Sequence, residues 1–285
     1  MRKFIISDLV AKKLKGLDKT PAQPEMKDPG AVPMETTDSL PEIRSFRVVS
    51  RTDIGLIRRM NQDAVIVGDT VMGVADGMGG HQGGETASAG ARDGILRILA
   101  DKEPSEEALR EAISEVNLTL WEQQLEDSSL TGMGTTLTLL WPAGEQMLIG
   151  HVGDSRAYLL RDGEMRQMTA DHSMVADMVR RGLLSEEQAA THPMRNYITR
   201  AVGTEPTIQA DILSVLRQPG DRWLICSDGL HGLVGKERLR EILSMDDPEE
   251  AADEMIREAL DQGGRDNISL VLVLDEKKPA GEVAE

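Results

Sequence analysis

The chain reads as an α+β domain of layered sheets and helices, and two observations lead there. Strand-like runs follow one another across turns too short for a crossover, at Pro142-Ala143-Gly144 and Arg161-Asp162-Gly163, so neighbouring strands should form antiparallel hairpins. Helical patterns come instead in separate blocks, 85–100 with 105–125 and 236–245 with 248–262, which should cover the sheets. At 285 residues the chain can bury a sizeable core. With only three Trp, two Tyr and two Phe, that core must be aliphatic, with methionine as filler.

The first 44 residues stand apart. Residues 1–19 carry Arg2, Lys3, Lys12, Lys13, Lys15 and Lys19 against Asp8 and Asp18, and Ile6, Val10, Leu14 and Leu17 fall at helical spacing. This basic amphipathic segment could dock on a partner or an anionic membrane surface, or be a solvated tail. Residues 20–41 hold five prolines among acids and threonines, the composition of a disordered linker.

From Phe46 the elements begin. Strands are expected at 46–51, 64–67 and 71–75, then the helices 85–100 and 105–125, the latter started by Pro104 and Ser105. A strand series follows at 135–141, 146–152 and 157–161. Two short helices at 174–181 and 185–190 are joined by Gly182. Strands at 212–216, 223–226 and 268–274 enclose the helices 236–245 and 248–262, and a charged tail starts at about Glu276. The division expected is therefore 1–44 tail and linker, 45–275 domain, 276–285 tail.

Composition excludes several functions. A net charge of −17 argues against non-specific nucleic-acid binding, in which protein cations replace counterions. Cys226 is the sole cysteine, so no internal disulfide can form and a reducing cytoplasmic setting is expected. No apolar run approaches the roughly 18 residues of a membrane span. Asp8 interrupts the short apolar stretch at the N-terminus, which argues against a secretory leader.

The chemistry lies in aspartates. Strand-like runs meet Asp76-Gly77, Asp154-Ser155, Asp228-Gly229 and Asp266-Asn267, and Asp63 closes Arg58-Arg59-Met60-Asn61-Gln62-Asp63. Several carboxylates converging on buried strand ends need a compensating cation. Oxygen donors without a thiolate or imidazole cluster select a hard one: magnesium, manganese or calcium. The glycine-rich stretch Asp76-Gly77-Met78-Gly79-Gly80-His81 lacks both the dinucleotide spacing and the lysine of a phosphate-binding loop. Its glycines suit close backbone approach to a metal, or simply a tight turn.

Seven blocks then occur in order: Gly55 through Asp63, Asp76 through His81, Gly134-Thr135-Thr136, Gly153-Asp154-Ser155-Arg156, Asp171-His172-Ser173, Cys226-Ser227-Asp228-Gly229-Leu230 and Gly264-Arg265-Asp266-Asn267. Together they resemble the metal-dependent protein phosphatases, the type 2C serine/threonine family, and most closely its bacterial members, over about residues 46–275.

The resemblance implies two antiparallel sheets packed face to face, helices on both outer sides, and a metal site at one end. It implies Mn²⁺ or Mg²⁺, two ions with a weaker third. Asp76 would bridge the two ions with the Gly77 carbonyl beside it, Asp228 and Asp266 would hold the second, and Asp63 would bind metal waters. Asp154 would share the third ion with Asp228, and Arg58 would grip the substrate phosphate. The implied activity is hydrolysis of phosphoserine and phosphothreonine in proteins by a monomeric enzyme opposing a bacterial Ser/Thr kinase. A phospho-responsive binding module is the alternative. Gln62 stands where many members carry glutamate, and Met78 where eukaryotic members carry a proposed acid, which leaves the leaving-group proton donor unassigned. His81 reads as a structural donor and His172 as a local one. His151, His192 and His231 lack metal-ligand spacing. Cys226 reads as a buried small hydrophobe rather than a nucleophile. Residues 174–194 match the family's variable flap, with Arg180, Arg181 and Arg195 as its cations.

Overall fold

The computed structural model describes residues 4–5, 44–79 and 83–277. Strand β1 (Phe4–Ile5) runs parallel to residues 197–198. The rest of the basic segment, the Pro-rich stretch, Gly80 and His81 lie outside the described residues.

The chain continues through β2 (Arg44–Asp53), β3 (Asp63–Val67) and β4 (Met72–Met78) into helices α1 (Gly83–Leu99) and α2 (Glu106–Glu126). Strands β5 (Gly134–Thr135), β6 (Leu137–Ala143), β7 (Gln146–Val152), β8 (Arg156–Arg161) and β9 (Glu164–Gln167) follow. Short helices α3 (Met174–Arg180) and α4 (Glu186–Thr191) precede β10 (Tyr197–Ile198), β11 (Asp211–Leu216) and β12 (Arg222–Cys226). The last elements are α5 (Asp228–His231), α6 (Lys236–Leu243), α7 (Pro248–Asp261) and β13 (Ile268–Lys277).

Local chemistry sets the helix starts. The Ser105 hydroxyl accepts the Ala108 N–H at 3.1 Å, with Glu106 and Glu107 in the first turn facing the positive end of the helix dipole. Ser185 and Gln188 form a reciprocal capping box on α4, and Asp247 caps α7 ahead of Pro248.

Two antiparallel sheets result. One has the order β11-β7-β6-β4-β3, with β5 attached to β4; the other is β2-β13-β12-β8-β9. Strand alternation assigns each face. Met72, Val74, Leu140, Met147 and Ile149 of the first sheet meet Ala157, Leu159, Trp223, Ile225, Val271 and Val273 of the second in an apolar central layer. The opposite face of the first sheet, with Ile66, Leu137, Leu139 and Trp141, packs on Ala87, Ala91, Ile95, Ile113 and Val116 of α1 and α2. The outer face of the second, with Leu224, Cys226, Leu270 and Leu272, packs on Leu239, Ile242, Ala252 and Met255 of α6 and α7. Three apolar layers thus separate four structural ones, the expected αββα sandwich.

Boundaries differ where pairing overrides composition. The ladder of β13 with β2 runs to Lys277 opposite Arg44, so both strands extend past the expected 46–51 and 268–274. Strand β4 does not stop at Ala75 but continues through Asp76 to Met78, because Gly77 and Met78 pair with Thr135 and Gly134. Strand β9 and helix α5 were not expected; β9 is carried by its hairpin with β8 rather than by an apolar run. Among the described residues no helix is long and apolar enough to cross a membrane.

Candidate metal centre

The centre starts from a register. Asp63 opens β3 and lies directly opposite Asp76 of β4, which is buried at 8% exposure. Like charges placed directly across an antiparallel pair destabilise it, and burial makes that cost larger.

Neighbouring groups hold the other carboxylates close by. Ser227, which precedes Asp228 at the start of α5, donates from Oγ to Asp63 Oδ2 at 2.8 Å. The same Oγ accepts the Ser269 N–H at 3.1 Å, so the ends of β12 and β13 are tied at this point. Asn267 accepts the Gln62 N–H on Oδ1 at 2.9 Å and donates from Nδ2 to the carbonyls of Ile54 and Met60, each at 3.0 Å. One buried amide thereby fixes the 54–62 loop against Asp266. Across that join Arg58 Nη2 donates to Asp266 Oδ2 at 2.6 Å. Gly77 donates its N–H to the Gln62 carbonyl at 3.0 Å, and a Cβ at 77 would collide with the carbonyl oxygens of Gly84 and Gln62. Only glycine permits the backbone carbonyl at 77 to sit in this corner.

Asp154 approaches from the turn between β7 and β8, 5% exposed. Thr136 joins it to Asp76: its Oγ1 accepts the Asp76 N–H at 3.0 Å and shares a 2.7 Å hydrogen bond with Ser155. His231, at the end of α5, donates from Nε2 to the Asp154 carbonyl at 2.9 Å, so the helix opened by Asp228 grips the Asp154 turn. His172 Nδ1 accepts the Gly153 N–H at 3.1 Å. The structure therefore brings Asp63, Asp76, Asp228, Asp266, Asp154, Gly77 and Arg58 onto one set of interlocked turns.

The donor set fits a hard cation. Its atoms are carboxylate and carbonyl oxygens, and the opposed Asp63 and Asp76 need positive charge. Among the described residues, no three of the His, Cys, Asp or Glu side chains form a group closed enough to hold an ion by themselves. Magnesium-like ions keep several waters and take only one or two carboxylates each, so donors arriving in pairs suffice.

Electrostatics assign the remaining groups. Burial, reinforced by His172, holds His151 neutral with its pKa down at about 3; burial and Arg156 bring His231 to about 4. His172 is lowered by burial and Arg200. Burial pushes the Cys226 thiol up to about 12, leaving no thiolate for nucleophilic attack. Burial opposes ionisation of Asp171, but the Arg156 fork, at 2.9 and 2.7 Å, outweighs it and holds the carboxyl low. Met78 is buried against Ile198 and Ala201 and is a packing residue. Arg180 of the flap is bonded to Asp177 and to the Asp171 carbonyl. The positions that sequence reading passed over are the positioners Ser227, Thr136, Asn267 and His231. Ser227, Thr136 and Asn267 belong to motif blocks and His231 directly follows one, yet the role of each depends on partners 19 to 213 residues away.

Known proteins are similar to this chain in sequence and fold. The family model described as Protein phosphatase 2C matches residues 58–264. The serine/threonine protein phosphatase PstP of Mycobacterium tuberculosis is 39% identical over 230 residues, 80% of this chain, which spans 44% of that relative's length. The serine/threonine phosphatase stp of Listeria monocytogenes is 40% identical over 239 residues, covering 78% of this chain and 93% of the relative. The crystal structure of the catalytic domain of PstP in complex with two manganese ions superposes with a TM-score of 0.76 at 35% identity, over 82% of this chain and 99% of that one. The chain belongs to the protein phosphatase 2C family.

Proposed function

We propose that the chain hydrolyses phosphoserine and phosphothreonine esters in proteins, using two Mn²⁺ or Mg²⁺ ions. The observation that carries this reading is the Asp63–Asp76 register, two carboxylates opposed where one is buried, with Asp266 and Arg58 joined beside them. Asp76, the Gly77 carbonyl, Asp228 and Asp266 would hold the ions, with Asp63 orienting water and Asp154 joining Asp228 at a third, weaker site. Such ions supply an activated water and neutralise the phosphoryl oxygens. Arg58 presents a permanently charged planar fork that binds two phosphate oxygens and fixes the ester for in-line attack. Ser227 keeps the Asp63 carboxylate aimed by donating to it. Asn267 and Thr136 keep the turns from separating, so positioning is set before substrate arrives.

The setting we propose is a monomer in the bacterial cytoplasm that reverses a Ser/Thr kinase; the similarity to bacterial protein phosphatases and the single cysteine support it. The test is hydrolysis of a phosphothreonine peptide with Mn²⁺, with EDTA and with Asp228→Asn. Metal-dependent turnover that Asp228→Asn abolishes is expected. Phosphopeptide binding without turnover, whatever divalent ion is supplied, would replace the enzyme with a binding module.

A further inference from the structure

The loop that carries Arg58 displays apolar side chains to water. Leu56 and Ile57 are 65% and 68% exposed, and Ile54 is 39% exposed. Slack backbone does not explain this. Leu56 donates its N–H to the Gly264 carbonyl at 2.7 Å, and Gly55 donates to Asp53 Oδ1 at 2.7 Å. Gly55 has φ +76°, and a Cβ there would strike the carbonyls of Asp266 and Gly264. A pinned loop that holds two large aliphatic side chains out of the core forgoes the burial energy that places most such residues inside.

The same edge carries unneutralised cations. Arg59 and Arg265 are exposed, and neither forms an ion pair among the described residues, although acids outnumber bases 49 to 32 along the chain. Arg265 lies between Gly264, which holds Leu56, and Asp266, which holds Arg58. The two loops therefore form one rim around the expected phosphate arginine, apolar and cationic together.

Resting on the phosphatase reading above, we propose that Leu56, Ile57, Arg59 and Arg265 form a docking edge for the substrate polypeptide. It takes the residues flanking the phosphorylated one and favours an apolar and an acidic neighbour. With the phosphate on Arg58, an extended peptide rises about 3.3–3.6 Å per residue, so its immediate neighbours lie level with this rim. An acidic side chain complements Arg59 and Arg265, and an aliphatic one covers Leu56 and Ile57. The occupant is a peptide segment, because its phosphate, apolar and acidic features are matched by adjacent groups of the rim.

Four phosphothreonine peptides test this, with Leu or Ser on one side of the phosphothreonine and Glu or Gln on the other. They are assayed with Mn²⁺ against the full chain, L56S/I57S and R59Q/R265Q, with p-nitrophenyl phosphate as a substrate too small to reach the rim. The Leu/Glu peptide should exceed the Ser/Gln peptide roughly tenfold in kcat/KM. L56S/I57S should remove the Leu advantage alone and R59Q/R265Q the Glu advantage alone, with p-nitrophenyl phosphate turnover unchanged. Equal kcat/KM for all four peptides, or preferences that survive both variants, with that turnover intact, would overturn the docking edge alone. Absence of turnover on every substrate would overturn the phosphatase reading and the edge with it.

Discussion

Arg58 and Asp266 are bound to each other across the centre: Nη2 lies 2.6 Å from Oδ2, while Oδ1 of the same carboxylate accepts the Asn267 N–H at 2.9 Å. The arginine expected on the substrate phosphate is thus also the neighbour of an expected metal ligand. Removing it should have two opposite effects. Arg58→Ala should raise the KM of a phosphopeptide and lower kcat/KM by about 10²–10³-fold, as loss of a charged fork does. It should also lower the Mn²⁺ concentration needed for half-saturation, measured by calorimetry without substrate, because a cation beside the carboxylate has been removed. Unchanged Mn²⁺ affinity would show that the ion pair does not oppose metal binding.

Much of this was legible in the chain, for identifiable reasons. The central core layer follows from strict alternation along β12 and β13, where Trp223, Ile225, Val271 and Val273 face one way and Leu224, Cys226, Leu270 and Leu272 the other. The carboxylates were legible because an aspartate beside a buried strand needs a chemical reason. Less legible was Ser227, a small polar residue whose importance lies in reaching Asp63 across 164 positions of sequence. Strand ends were misjudged at Asp76 and Glu276 for a related reason. Charged residues look like loop, but Asp76 pairs with Asp63, Gly77 after it with Thr135, and Glu276 with Ser45, which keeps the chain extended.

Ser227→Ala removes the hydroxyl between Asp63 and the Ser269 N–H, at 2.8 and 3.1 Å. The site is buried, so an unanswered N–H and a carboxylate short of one donor should cost about 1–3 kcal/mol of stability in urea unfolding. Turnover of p-nitrophenyl phosphate should fall because Asp63 loses its aim, whereas the KM for that ester should stay near wild type. A purely thermal defect, with kcat preserved at a temperature where the variant is folded, would remove Ser227 from the positioning set.

Arg217 and Asp275 test the scaffold away from the chemistry. They are 6% and 2% exposed and bonded twice, Nε to Oδ2 at 2.8 Å and Nη2 to Oδ1 at 3.1 Å. Arg217 also donates to the Gly144 carbonyl at 2.7 Å, and its guanidinium carbon lies 4.2 Å from the Phe46 ring centroid. Arg217→Met should cost about 3–5 kcal/mol, because Asp275 would stay buried with its charge uncompensated. Adding Asp275→Leu should recover most of that loss, since the desolvated carboxylate is gone. A double variant no more stable than the single one would locate the loss in the Gly144 and Phe46 contacts instead.

Acid should weaken the fold through His151. Its ring is fully buried 4.8 Å from that of His172, with Nε2 3.2 Å from the Ala170 carbonyl and Nδ1 3.0 Å from Thr138 Oγ1. Because a carbonyl can only accept, Nε2 carries the proton and Nδ1 accepts from Thr138. Burial first, then His172, depresses the pKa from 6.5 to about 3; Asp171 and Asp211 offset only part of this. Between those two values the unfolded chain binds a proton that the folded chain refuses. The stabilisation from keeping His151 neutral is therefore complete above about pH 6.5 and declines as pH falls, by up to about 1.4 kcal/mol per pH unit for one proton. Urea unfolding of the chelator-treated protein at pH 7, 6 and 5 measures the slope without contribution from metal release. His151→Gln can donate to Ala170 and accept from Thr138 but cannot titrate. Its stability should lose about one proton's worth less per pH unit between pH 6 and 5, with His172 and His231 supplying what slope remains. Identical slopes in the two proteins would mean that His151 takes up its proton within the folded state.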